Sequence, residues 1–131
     1  MLTKSITYTD YDGVERTENF MFNLTRAEIA ELNLTTEGGL QSVIQKMIDS
    51  KDVPELTKWF KKIITMSYGE KSPDGRRFVK SEKLTEDFLQ TEAYSELFIE
   101  LITDENAAAA FVNGIIPRQE TSNIPAPKLD K

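Results

Sequence analysis

Three stretches of the chain share one spacing of apolar residues. In each, apolar residues fall at positions i, i+3, i+4, i+7 and i+8, which places them along one side of an α-helix. The stretches cover residues 40–48, 56–64 and 94–102. This pattern predicts three amphipathic helices, each contributing all of its striped residues to a common core.

The first part of the chain has the alternating pattern of β-strands instead. Asp12-Gly13 lies between two such segments and is a strong turn signal, because Gly tolerates the positive φ that hairpin turns require. One side of the second segment carries Val14, Arg16, Glu18, Phe20 and Phe22. The pattern predicts a hairpin over residues 3–22. A lone hairpin is marginally stable, so we expect it to pack on helices or to pair with another subunit's edge.

Capping residues mark the expected starts of the helices. The first, Thr25 with Glu28, has the spacing of a capping box and predicts a short helix through about Leu32. The other expected starts are Gly38-Gly39, Asp52, either Ser81 or Thr85, Thr91 and Asp104. The last helix is expected to end at Asn113-Gly114, with the glycine in the left-handed conformation.

These elements predict an α+β fold that is predominantly helical. Residues 1–116 are expected to form one domain, in which the hairpin packs on a small bundle of amphipathic helices within residues 25–116. From Pro117 the chain is polar and carries further prolines, which cannot supply a packed core. Residues 117–131 are therefore expected to be a flexible tail.

The amino-acid composition limits which catalytic groups, metal ligands and partners the chain can have. The 131 residues include no Cys and no His, which removes thiolate nucleophiles and the usual acid–base catalyst and metal ligand. We identify no catalytic, cofactor-binding or metal-binding residues and do not expect an enzyme. The net charge of −6 argues against nucleic acid as a partner. The chain lacks an apolar run of about 18 residues and a signal-like start, so we expect a cytoplasmic protein without membrane contact.

The charge is unevenly distributed along the chain. Residues 58–81 carry seven basic and two acidic residues, a net +5, whereas residues 82–105 carry one basic and eight acidic residues, a net −7. Two interpretations are open: the two faces attract each other within one fold, or they join copies of the chain head to tail.

The stretch from Tyr68 to Ser81 is a polar segment between two helical halves. Its Gly69-Glu-Lys-Ser72 run lacks the upstream glycine of a phosphate-binding loop, so we reject that function. Arg and aromatic residues dominate interface hot spots. Our candidate partner-binding residues are therefore Trp59, Tyr68, Arg76, Arg77 and Phe78. The alternative for this segment is a second small hairpin with its arginines solvated or paired to the acidic helices.

Several sequence segments resemble one known family. They are Tyr68-Gly-Glu-Lys71, Gly75-Arg-Arg-Phe78, Thr91-Glu-Ala-Tyr94, Leu97-Phe98 and Phe111-Val-Asn-Gly-Ile-Ile-Pro117. Together they resemble the tail assembly chaperones of long-tailed bacteriophages and of prophages in Gram-positive bacteria. The resemblance covers most of the chain except its tail.

The resemblance implies a non-enzymatic protein that acts during tail morphogenesis in the cytoplasm of the infected host and is absent from the finished virion. Its implied partners are the tape measure protein, which it binds and solubilises, and the tail tube protein, whose subunits it helps to recruit. It also allows a homo-oligomer and a longer, frameshifted form. Two alternatives are a permanent virion component, such as a minor tail or head–tail connector protein, and a regulator that binds a host protein.

Overall fold

The computed structural model describes residues 1–49 and 52–117. For residues 48–49 it describes the backbone only. The α+β class, with helices predominating, is confirmed. The predicted tail lies outside the described residues except for Pro117. In chain order, the elements of the described part are β1 (Leu2–Thr9), β2 (Glu15–Phe22), α1 (Arg26–Thr35), α2 (Gly39–Asp49), α3 (Val53–Ser67), β3 (Tyr68–Lys71), β4 (Phe78–Val79), α4 (Glu82–Leu89), α5 (Glu92–Thr103) and α6 (Glu105–Ile115).

The strands form one antiparallel sheet in the order β1-β2-β3-β4. The predicted N-terminal hairpin is confirmed, with Leu2 opposite Phe22 and Thr9 opposite Glu15. The stretch from Tyr68 to Ser81 contributes the other two strands, and β3 pairs with the end of β2. This stretch therefore forms a second small hairpin, which extends the N-terminal sheet, whereas contact of the stretch with a partner stays a prediction.

The turn between β1 and β2 is organised by one carboxylate. Asp10 accepts hydrogen bonds from the N–H groups of Asp12 and Val14, each at 2.9 Å, and from Nε of Arg16 at 2.6 Å. The Arg16 contact, followed by the Val14 N–H, lowers the pKa of the Asp10 carboxyl. Gly13 has the predicted positive φ, at 82°.

A cluster of aromatic rings joins the sheet to the helices. Phe22 is fully buried, and its ring centroid lies 5.7 Å from Tyr68, 5.8 Å from Phe88 and 5.1 Å from Phe111. These rings come from β2, β3, α4 and α6. Phe88 also packs edge-on against Tyr94 of α5 at 5.9 Å. The cluster therefore ties elements from both halves of the chain into one core.

The predicted helix caps are largely confirmed. Thr25 and Glu28 form both bonds of the capping box, and the Thr91 and Asp104 side chains accept N–H groups in the first turns of α5 and α6. Ser81, the first of the two alternatives, caps α4. Helix α2 begins at Gly38-Gly39, where both φ values are positive. Helix α3 begins after Asp52, which is its N-cap residue. Local sequence therefore determines where the helices begin.

The predicted end of the last helix is wrong. Gly114 does not have a positive φ, and α6 continues to Ile115, whose carbonyl oxygen accepts the N–H of Leu24 at 2.8 Å. A Cβ atom on Gly114 would lie only 3.0 Å from Cδ1 of Leu2. The glycine therefore lies at a close contact between α6 and the Leu2 side chain of β1, and it does not form a left-handed turn.

One of the three helical stripes is only partly buried. In α5 the buried residues are Ala93, Leu97 and Leu101, whereas Ile102 is 37% exposed. Each residue of a helix is rotated by about 100° from the one before, so Ile102 lies at the side of the buried face when Leu101 is at its centre. The expectation that all residues of this stripe are core is therefore wrong for Ile102. In α2 and α3 the described stripe residues are buried or half-buried.

The basic and acidic segments are not joined by direct ion pairs among the described residues. Lys80, in the basic segment, pairs with Glu28 of α1, and Glu100, in the acidic segment, pairs with Lys4 of β1. Attraction of the two faces within one fold and head-to-tail contact between copies both stay predictions. No described helix has the length and apolar character needed to cross a bilayer.

Replacing Phe22 by Ala is expected to lower the free energy of unfolding by about 3–5 kcal/mol, because it removes the ring at the centre of the aromatic cluster. Urea unfolding followed by circular dichroism measures the change. Val14→Ala is the control, since Val14 is 51% exposed and its loss is expected to cost less than about 0.5 kcal/mol. Equal effects of the two changes would contradict the role assigned to Phe22.

Candidate interaction surface

The β3–β4 hairpin begins where α3 ends, without an intervening loop. The N–H of Tyr68 still donates to the carbonyl oxygen of Ile64, while the buried Ser67 hydroxyl donates to that of Ile63 at 2.7 Å. The Tyr68 ring is 7% exposed and stacks on Phe88, with centroids 4.4 Å apart and planes 13° apart. Burial, as the largest cause, raises the pKa of the Tyr68 phenol. Tyr68 thus anchors the base of the hairpin.

Gly69 allows the two strands of this hairpin to approach each other. A Cβ atom at this position would lie 2.6 Å from the carbonyl oxygen of Val79 and 2.7 Å from Cε2 of Phe78. Both distances are shorter than contacts that real Cβ atoms make, so a side chain would push the strands apart.

The turn of the hairpin is fixed by a small hydrogen-bond network. The N–H of Gly75 donates to the carbonyl oxygen of Ser72 at 2.9 Å, and the Ser72 hydroxyl donates to the Asp74 carboxylate at 2.7 Å. The N–H of Arg76 also donates to Asp74, at 3.0 Å, and the N–H of Arg77 donates to the Ser72 hydroxyl oxygen at 3.0 Å. The Arg76 N–H and then the Ser72 hydroxyl lower the pKa of the Asp74 carboxyl.

Lys80 fastens the far side of the hairpin to the first helix. Its ammonium group donates to both carboxylate oxygens of Glu28, at 2.7 and 2.8 Å, and to the carbonyl oxygen of Met66 at 2.8 Å. Glu28 also accepts the N–H of Thr25 in the capping box of α1. One carboxylate therefore holds both the start of α1 and the orientation of the hairpin.

This framework presents two arginines to solvent. Arg76 and Arg77, here called the basic tip, are both exposed, although their backbone N–H groups are held by the turn. Phe78 follows at the start of β4 and is half-buried, with the Lys80 ammonium 5.7 Å from its ring centroid. A fixed backbone that displays flexible cationic side chains suits recognition of an acidic or aromatic surface.

Trp59 belongs to a different part of the molecule, on α3. It is 7% exposed, and its indole N–H donates to the Glu55 carboxylate at 3.1 Å, so this buried polar group has a hydrogen-bond partner within the fold. Three ammonium groups lie near its ring, those of Lys46, Lys58 and Lys62, at 4.9, 5.8 and 5.3 Å from the centroid. The indole is thus covered by a basic surface formed by α2 and α3.

The structure brings four of the five candidate residues onto one hairpin and leaves Trp59 apart. Of those four, the basic tip is exposed, Phe78 is half-buried and Tyr68 is buried. Contact of any of the five with a partner stays a prediction. Sequence reasoning missed Glu28 as the anchor of the hairpin, because its partner Lys80 is 52 positions away and no local pattern links them.

The described residues form a small α+β protein whose second hairpin exposes two arginines on a hydrogen-bonded turn. A family model described as phage tail assembly chaperone matches residues 1–127. The chain belongs to this family, as the sequence segments indicated. No curated protein and no solved structure matches the chain.

Replacing Lys80 by Met is expected to lower the free energy of unfolding by about 1–2 kcal/mol, because it leaves the half-buried Glu28 carboxylate without its cation. It should also speed hydrogen exchange at the turn amides of Ser72 and Arg77. Hydrogen exchange read by NMR and urea unfolding measure the two effects.

Lys83→Met is the matched control for this change. Lys83 pairs with Asp87 at 3.1 Å, but its side chain is 84% exposed, against 20% for Lys80. Its loss is expected to cost less than about 0.5 kcal/mol. Unchanged exchange at the turn in the Lys80 variant would show that the ion pair does not position the hairpin.

Proposed function

We propose that this chain is a non-enzymatic chaperone that binds and solubilises the tape measure protein and helps to recruit tail tube subunits to it. It would act in the cytoplasm of the infected host and leave before the virion is complete. The observation that carries the proposal is the family match over residues 1–127. The tape measure protein, implied as partner by the family resemblance, is a long helical protein with apolar surface to cover.

Exposed apolar residues on the helices support binding to such a partner. On α5, Ile99 is 56% exposed and Ile102 is 37% exposed, and a spacing of three residues places them on neighbouring turns of one face. Leu34 of α1 is 85% exposed. An amphipathic partner helix is recognised through apolar side chains at such a spacing.

The five candidate residues enter this proposal in two ways. Contact with the partner is proposed for the basic tip and Phe78, which offer accessible surface. Trp59 and Tyr68, each 7% exposed, are proposed to support the basic surfaces around them. Because a tape measure protein is long, several copies of the chaperone would bind along it and gain from multivalency.

The proposal also includes association of several copies of the chain with one another. Lys80, Glu100, Lys83 and Asp87 have ion-pair partners within the fold, but the other charged side chains of the two segments form no ion pair among the described residues. Contact between the basic segment of one copy and the acidic segment of another would give head-to-tail association. The predicted oligomer would weaken with added salt, since exposed charges are screened.

Co-expression with the cognate tape measure protein is expected to move the tape measure protein from the insoluble to the soluble fraction. The two proteins should also co-purify through a tag on either one. The comparison is the same tape measure protein expressed alone. An insoluble tape measure protein in both cultures, with no co-purification, would overturn the proposed function.

The same assay tests the basic tip. The double variant Arg76→Ser with Arg77→Ser is expected to reduce the co-purified tape measure protein several-fold, since two cationic contacts are lost at once. Lys83→Ser on α4 is the matched control, because it removes an exposed cation away from the hairpin. Equal yields from both would remove the tip from the binding surface.

A permanent virion component is the alternative that the sequence left open. Mass spectrometry of purified particles separates the two functions, because a chaperone is expected to be absent where tube and tape measure peptides are abundant. Recovery of this chain in a fixed ratio to a structural tail protein would favour the alternative.

A further inference from the structure

The outer edge of β1 has no strand beside it in the described structure. β1 lies at one end of the sheet order, and each of its residues from Leu2 to Thr9 pairs with β2 on the inner side. The opposite end of the sheet is β4, which spans only Phe78–Val79. β1 is therefore the longer open edge, and an open edge can hydrogen-bond to another extended chain.

Two hydrogen bonds show which residues of β1 direct their backbone groups outward. In an antiparallel pair, residues alternate between bonding to the neighbour and pointing away from it. The N–H of Asp10 donates to Val14 across the hairpin, whereas that of Asn23 donates to Ser67, on the side away from β1. Even-numbered residues of β1 therefore bond to β2. The residues that point to the open edge are Thr3, Ser5, Thr7 and Thr9.

The outward groups lie beside a groove. Two adjoining hollows, of about 350 and 310 Å³, border the edge and share Lys4, Ser5 and Glu100 as lining residues. They form what we call the edge groove, bounded by residues 2–7 of β1 on one side and by α5 and α6 on the other. Among the described residues, no group bonds to the outward N–H and C=O of Ser5.

The wall opposite β1 changes character along the edge groove. At the Thr7 end it carries Glu96 and, one helical turn further, Glu100. At the Leu2 end it consists largely of small apolar residues, including Ala107 and Ala110. Glu100 pairs with Lys4 at 3.1 Å but is 43% exposed, whereas Glu96 has no ion pair within the described residues. The groove is therefore acidic at one end and apolar at the other.

We propose that the edge groove binds an extended segment of another protein, which joins the sheet as a further strand beside β1. Alternate residues of a strand are about 6.6 Å apart, and residues i and i+4 of a helix are about 6 Å apart. Two basic side chains at alternate positions of the segment therefore match Glu96, which has no ion pair among the described residues, and Glu100, where the second would share the carboxylate with Lys4. A third alternate position, toward Leu2, takes an apolar side chain over Ala107 and Ala110.

A second copy of this chain fits the edge groove less well. The short β4 edge offers few ladder hydrogen bonds. Two β1 strands paired antiparallel would bring Glu96 and Glu100 of both copies to the same face of the joined sheet, where like charges repel. The acidic wall thus selects a cationic strand from a different protein.

This inference rests on the proposed function in one respect only: the added strand would come from a tail protein that the chain meets during assembly. The chemistry of the groove does not depend on that source. The edge groove is also separate from the basic tip, which lies on the hairpin at the other end of the sheet.

The test uses a capped synthetic peptide with Lys, Lys and Leu at alternate positions and Thr between them, added to the isotope-labelled full chain. The NMR amide signals of Thr3, Ser5 and Thr7 are expected to move most and to gain protection from exchange. A peptide with Glu in place of Lys is expected to bind at least about fivefold more weakly. Unmoved amides at millimolar peptide, or equal binding of both peptides, would overturn the proposal.

Two variants test separately the backbone hydrogen bonds at the open edge and the charge contacts of the acidic wall. Ser5→Pro removes an outward N–H without removing a bond to β2, and is expected to weaken peptide binding about tenfold, whereas Ser5→Ala keeps the affinity. Glu96→Gln is expected to weaken binding about two- to fivefold, and Glu86→Gln on α4 is its matched control. If Ser5→Pro does not fold, the Glu96 variant alone decides, and an unchanged affinity there overturns the proposal.

Two further measurements separate this proposal from the proposed function. Peptide binding without co-purification of the tape measure protein would sink the proposed function and support the groove. Sedimentation of the chain alone checks self-association. A shift from oligomer to monomer caused by Ser5→Pro would show that a second copy occupies the edge and would overturn the inference.

Discussion

The contact of Phe22 with the rings around it is the constraint on which the rest of the structure depends. β2 is the strand that joins the two hairpins, because it pairs with both β1 and β3, and its last residue is the point where rings from β3, α4 and α6 meet. Two-stranded hairpins are marginally stable alone, and so are short isolated helices. The cluster therefore stabilises each element through elements that lie far from it in sequence. Phe88 of α4 also links several elements, because its ring contacts Tyr68 of β3 and Tyr94 of α5.

The second constraint is electrostatic and sets the position of the hairpin. Lys80 reaches back to Glu28, so the cap of α1 and the orientation of β4 depend on one carboxylate. A surface pair would contribute little, but this one is half-buried and its ammonium group also binds the Met66 carbonyl oxygen. The turn itself is held by hydrogen bonds of Ser72 and Asp74 within the hairpin. The arginines at its tip are therefore displayed in a defined place.

Local features of this chain could be predicted from sequence, and long-range ones could not. The caps at Thr25 and Thr91 and the turn at Gly13 depend on residues within a few positions, and all three are as expected. Gly114 carries the signal of a helix end, but Leu2 packs against it and the helix continues. Ile102 fits a helical stripe, although the direction of burial is set by the neighbours of α5. The two arginines of the basic tip could be identified as candidates from the sequence. The edge groove beside β1 could not, because it is formed by residues that lie far apart in the sequence.

β1 serves the core and the surface through alternate residues. Even-numbered residues bond to β2 and place side chains such as Ile6 in the core, while odd-numbered residues direct their backbone groups to the open edge. A strand added at that edge would use hydrogen bonds that the fold does not need, so its release would leave the core intact. The proposed function requires the chain to bind its partner and then to leave, and binding of this kind is compatible with both steps. Control of release would then lie in the Glu96 and Glu100 contacts, since exposed ion pairs weaken with salt and with competing cations.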